Sequence, residues 1–121
     1  MRIIDPGHVY YLRVLDGEPH EESILAFVKR KGAKYPGNNS THSGTTNQEV
    51  LRAVVDRLGY VDYQIPHERN RHAWEYIKSA IWELEARAAE RHGRPIPDIQ
   101  EAVYGILCPK CNHAGCEGTC H

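Results

Sequence analysis

The sequence predicts an α+β fold: a small β-hairpin or sheet packed with two main α-helices, assembled as an oligomer. Three observations predict it. Residues 8–15 and 23–30 are rich in β-branched and aromatic types around a polar, Gly- and Pro-containing link. Residues 46–58 and 67–92 carry apolar side chains at helical spacing. The chain of 121 residues is one domain in size, with room for a modest core and little for a deep private pocket. A site shared between protomers follows as an expectation. The expected organisation is a single ligand-binding domain over 1–107 and a Cys-rich tail over 108–121.

The hairpin comes first. His8–Leu15 and Ser23–Arg30 are the strands, and Asp16–Glu22 is the turn region. Two strands alone are marginal, so helices or a partner sheet must cover them. Residues 31–46 hold almost no apolar side chain, and a loop this long is usually functional or disordered. The next segment opens on Thr46-Asn47-Gln48-Glu49, a capping box. Val50, Leu51, Val54, Val55 and Leu58 form its apolar stripe, with Arg52 and Asp56 as an i,i+4 pair elsewhere. Gly59 is expected to weaken or end this helix.

The second helix is expected from about His67 to His92. Trp74, Ile77, Ile81, Leu84 and Ala88 are spaced 3, 4, 3 and 4, one continuous seam. Gly93 supplies the stop and Pro95 prevents continuation. A short strand or turn is expected around Ala102–Leu107. No internal repeat is visible.

Charge is unevenly spread. The chain has 15 Lys+Arg and 16 Asp+Glu, a net charge of −1. Residues 29–94 hold twelve basic and eight acidic groups, so the middle is mildly cationic. That suits a small anion better than a nucleic acid, whose coating relies on neutralising many phosphates. Surface ion pairs would use the same charges. No run approaches the ~20 apolar residues of a membrane span, and the N-terminus has no apolar secretory core. A cytosolic protein is expected, in which disulfides are rare.

Two places carry anion-binding chemistry. The Gly/Ser/Thr/Asn loop after Lys29, Arg30, Lys31 and Lys34 enters a helix N-terminus, where free N–H groups and the dipole favour negative charge. It is neither a P-loop nor a Rossmann fingerprint, and a flexible loop before an ordinary capping box reads equally well. At the far end of the second helix, Trp82 with Arg91, His92 and Arg94 could hold a nucleotide by stacking and bidentate contacts. A solvated face carrying Glu83, Arg87 and Arg91 is the plainer reading.

The tail reads Cys108-Pro-Lys-Cys111, then Cys116, Cys120 and His121. Cys108, Cys111, Cys116 and His121 have the spacing of a zinc knuckle with Cys and His exchanged at the last two ligands, and four close soft ligands suit a structural Zn²⁺. His113 and Cys120 compete as ligands, and the same cysteines could instead be free thiols or form intersubunit disulfides. No catalytic metal is expected. The sequence has no Gly-x-Ser-x-Gly elbow and no His-Glu-x-x-His. The zinc-deaminase pattern fails because His67-Glu68 is adjacent and Cys108 precedes its proline. Asp5 with His8 reads as a turn contact rather than a catalytic dyad.

Several strings occur in a recognisable order: Ile4-Asp5-Pro6-Gly7-His8, Phe27-Val28-Lys29-Arg30, Lys34-Tyr35-Pro36-Gly37-Asn38, Gln48-Glu49-Val50-Leu51-Arg52-Ala53, Asp56-Arg57 and Arg87-Ala88-Ala89-Glu90-Arg91-His92-Gly93-Arg94. The ordered set resembles the first Thoeris anti-defence family of small phage and prophage proteins. It runs from Ile4 to Arg94 and leaves out the cysteine tail. Tyr63 departs from the Asn of that family.

The resemblance implies non-catalytic sequestration in the cytoplasm of a bacterial host. Members bind cyclic ADP-ribose isomers intact, bind cyclic trinucleotides at separate sites, and assemble as dimers and higher oligomers such as hexamers. Arg57, Trp82, Arg91, His92 and Arg94 become the expected clamp for base, ribose and pyrophosphate. The Lys34–Gly44 loop, with Lys34 and Asn38, becomes a gate or second site. Membrane and nucleic-acid partners are not expected. The alternative is a zinc-knuckle adaptor for nucleic acid or protein, weakened by the lack of any aromatic between Cys108 and His121. A hydrolase of the same signal lacks a visible nucleophile or base.

Overall fold

A computed structural model describes residues 1–105 of the chain. It divides into two compact units, Met1–Asn47 and the helical part from Gln48 onward. The architecture is α+β, with a three-stranded antiparallel sheet in the first unit and helices in the second.

The sheet consists of β1 (Arg2–Asp5), β2 (Val9–Arg13) and β3 (Glu22–Ala26), in the order β1-β2-β3. The expected hairpin is β2–β3, with Val9 opposite Ala26 and Arg13 opposite Glu22. Its strands are shorter than 8–15 and 23–30. A strand that the sequence did not predict, β1, pairs with the other side of β2. Asp5-Pro6-Gly7-His8 makes that pairing possible. Pro6 and Gly7 occupy the central positions of a type II turn, Gly7 takes φ +82°, and the His8 N–H donates to the Asp5 carbonyl at 2.9 Å. The register shifts between Ile3 and Asp5, a bulge that blunts this edge strand. Arg2 reaches across the sheet to the Glu22 carboxylate (2.9 Å from Nε) and lies over the Tyr11 ring.

The 31–46 segment has few apolar side chains, but it does not lack backbone partners. Lys29 and His42 exchange both of their backbone hydrogen bonds, and Val28 and Thr45 are joined next to them. Gly44 runs so close to Phe27 that a Cβ there would lie 2.4 Å from the Phe27 carbonyl carbon.

In the helical unit, α1 spans Asn47–Gln64, α2 Glu68–Arg91 and α3 Ile99–Tyr104. The start of α1 follows Thr46 as expected. Gly59 neither ends nor interrupts it; the helix runs five residues further, because one glycine costs only about 1 kcal/mol against alanine. The next helix begins after Pro66. His67 is its N-cap, accepting from the Arg69 N–H at 3.0 Å, while the Asp62 carboxylate of α1 accepts from the His67 N–H at 2.9 Å. At the other end, Arg94 N–H donates to Ala89 and Gly93 N–H to Glu90, with Gly93 at φ +64°. This is the double closure of a Schellman stop.

The strand or turn expected around Ala102–Leu107 is instead a helix where it is described. Asp98 caps α3 by accepting from the Glu101 N–H at 2.8 Å. Asp98-Ile-Gln-Glu101 has the capping spacing, and Ala102 and Val103 fall on the buried side. The core joins Val55 of α1, Ile81 of α2 and Val103 of α3, with Leu51, Trp74 and Ile77 packed against it. No strand residue is fully buried among the described residues. No described helix is long and apolar enough to cross a membrane.

Candidate functional site

The C-terminal end of α2 collects the cationic residues expected there. Arg87, Arg91, His92 and Arg94 are exposed, and their side chains make no ion pair or hydrogen bond among the described residues. The helix stop fixes the backbone that carries them. Trp82 adds a second tie: its half-buried indole Nε1 donates to the Pro97 carbonyl at 2.9 Å. That bond draws the segment after Arg94 back to α2, so the indole N–H is committed within the chain. Arg57 is exposed on α1, a different helix.

Lys34 and Asn38 belong to the sheet unit. Lys34 is exposed. Asn38 uses its side-chain amide to hold its own loop, donating to the Arg30 carbonyl at 2.6 Å. Cys108, Cys111, Cys116 and His121 lie outside the described residues. Among the described residues no group of three His, Cys, Asp or Glu side chains is placed to hold a metal ion.

The sheet unit has a polar cluster of its own. Lys29 Nζ lies 2.8 Å from Asp5 Oδ2, and His8 Nδ1 lies 3.8 Å from the same oxygen. The His8 ring meets His42 edge-on, with centroids 6.1 Å apart. His8 Nδ1 is also 3.2 Å from the Pro6 carbonyl oxygen, so the expected Asp5–His8 turn contact is present but Lys29 is the nearer partner. The Lys29 ammonium holds the Asp5 carboxyl below its usual range, partly opposed by burial.

A group whose folded pKa is depressed adds stability above its unfolded pKa and loses it as pH falls through the folded value. Acidification below about pH 4 should therefore weaken this unit. Lys29→Met should raise the Asp5 titration midpoint towards the ordinary value, read by carboxyl NMR. An unchanged midpoint would remove Lys29 as the cause.

A groove of about 580 Å³ in the helical unit is lined by residues that the sequence did not mark as a binding site. Along α1 they are Glu49, Arg52, Asp56, Gly59, Tyr60 and Tyr63; Trp74 of α2 and Tyr104 of α3 join them, with Val55 and Val103 from the core. The α1 set recurs at three- and four-residue steps, so one helix face carries it. That periodicity is present in the sequence, but it is polar and aromatic and lies beside a stronger apolar stripe.

Arg52 organises this wall. The expected Arg52–Asp56 pair is not what forms. Its Nε donates to the Val103 carbonyl at 3.1 Å and Nη2 to the Ala102 carbonyl at 2.8 Å; Glu85 and Glu49 lie at 3.2 and 3.5 Å. Two open carbonyls at the end of α3 outcompete a solvated carboxylate one turn away. Asp56 is left with no ion pair among the described residues.

No protein-family model, curated protein or solved structure matches the chain.

Proposed function

We propose that this chain is a non-catalytic binding protein that sequesters compact cyclic nucleotide signals, cyclic ADP-ribose isomers first and cyclic trinucleotides second. In this reading it blocks bacterial anti-phage defence from within the host cytoplasm. The observation that carries the proposal is the fixed, unpaired cationic end of α2, where Arg91, His92 and Arg94 are exposed. Guanidinium forks suit a pyrophosphate, and the helix stop holds the backbone bearing them. The ordered resemblance from Ile4 to Arg94 supports the same reading. Arg57 and Trp82 complete the proposed clamp, and Lys34 and Asn38 belong to a second contact. In this reading a homo-oligomer completes the site from a second copy.

Arg91→Ser/Arg94→Ser tests the assignment with little risk to folding, since both side chains are exposed. Loss of two charge-assisted contacts should weaken cyclic ADP-ribose binding by about tenfold or more in calorimetry. Unchanged affinity would move the ligand elsewhere.

A further inference from the structure

We infer that the groove between α1, α2 and α3 is a separate site for an alkylated ammonium head group. The inference goes beyond the nucleotide reading, because none of the α2-end cations lines this groove.

The walls come from all three helices. Tyr60 and Tyr63 stand on α1, Trp74 on α2 and Tyr104 on α3. Tyr63 is 86% exposed, Tyr60 55% and Tyr104 44%. Exposed aromatic rings grouped around a concavity are costly in water unless they meet a partner. The ring pairs formed among the described residues lie in the sheet unit, so these four rings are not stacked on one another. Gly59 keeps the α1 wall low: a Cβ there would meet nothing within 4 Å.

Charge selects the occupant. Glu49 and Asp56 line the groove against one cation, Arg52. That guanidinium is already matched by Glu85, by Glu49 and by two α3 carbonyls, so Asp56 is the lining carboxylate left to a ligand. Asp56 keeps an unpaired carboxylate at the wall. A phosphate would meet these carboxylates with repulsion. A cation would meet them with attraction, and would also meet the negative faces of the tyrosine rings. The helical unit already contains one such contact: Lys78 Nζ sits 4.2 Å from the Trp74 ring centroid.

Among cations, the alkylated ammonium fits best. It is weakly hydrated and has no N–H to satisfy, so aromatic walls replace its water at small cost. A primary ammonium is more strongly hydrated and gives up more in leaving water for aromatic walls. The volume lies within the usual range of small-molecule sites, roughly 300–1,000 Å³.

The test uses choline and its neutral carbon isostere, the same molecule with carbon in place of the quaternary nitrogen. Binding to the full chain is followed by NMR of the Trp74 indole and the Tyr60 and Tyr63 rings. Choline should bind at least about fivefold more tightly than the isostere. Tyr60→Leu/Tyr63→Leu should remove that preference, and Asp56→Asn should reduce it about threefold. Circular dichroism checks that the variants fold, and Arg91→Ser/Arg94→Ser should leave choline binding unchanged. Equal binding of choline and isostere would make this a plain apolar groove and overturn the inference. Shifts with adenosine but none with choline would overturn it in favour of base stacking.

Discussion

Ile81→Ala is expected to cost about 3 kcal/mol, within the roughly 2–5 kcal/mol range of buried Ile-to-Ala changes. Ile81 is 0% exposed and is the only large side chain fully buried among the described residues. It touches the cluster that joins all three helices. Removing its outer carbons therefore opens a cavity where α1, α2 and α3 meet. Small domains hold only about 5–15 kcal/mol in total, so this single change removes a large share. Urea denaturation followed by far-UV circular dichroism measures it. Val54→Ala is the control: Val54 is 36% exposed, and its truncation should cost under about 1 kcal/mol. Equal costs at the two positions would show that the helices do not share a core at Ile81.

Arg52→Lys is the second large effect, and it is not conservative here. Arginine serves two carbonyls from two different nitrogens while pairing with Glu85. A lysine ammonium is a single point donor and cannot reproduce that fork. One or both carbonyls at the end of α3 would lose their partner, at about 1–3 kcal/mol for each buried group left unsatisfied. Amide hydrogen exchange should locate the damage: protection within α3 falls first, while the middle of α2 changes only with global stability. Unchanged α3 protection would mean that Val103 packing alone docks this helix.

The long periodic segments were the legible part of the fold. The 3,4,3,4 seam of α2 and its Gly93 stop translate directly into Ile81 at the core and the double closure at Ala89 and Glu90. The β2–β3 hairpin was visible in its β-branched and aromatic residues. The departures share one cause: local signals outweighed by partners distant in sequence. β1 is four residues long and gains its identity from pairing with β2. The six residues of α3 are too few to declare a period, and their hold on the unit comes from Val103 packing and from Arg52 some fifty residues earlier. Arg52–Asp56 obeyed the helix-surface rule, yet the carbonyls of another element took the guanidinium.

The candidate site was legible in its charges and not in its commitments. Arg91, His92 and Arg94 stand exposed as their position after the seam implies. Trp82 and Asn38, expected as ligand groups, also tie the chain to itself, through Pro97 and Arg30. The aromatic groove was not legible because its walls come from three helices, one of which the sequence did not predict.

Sequestration is tested most directly by what the protein returns. The full chain is incubated with cyclic ADP-ribose isomers, washed free of unbound ligand and heat-denatured, and the released material is identified by mass. The account predicts the same cyclic molecule, unchanged. A hydrolysed product would make the chain an enzyme, and an empty supernatant would remove the nucleotide as its ligand.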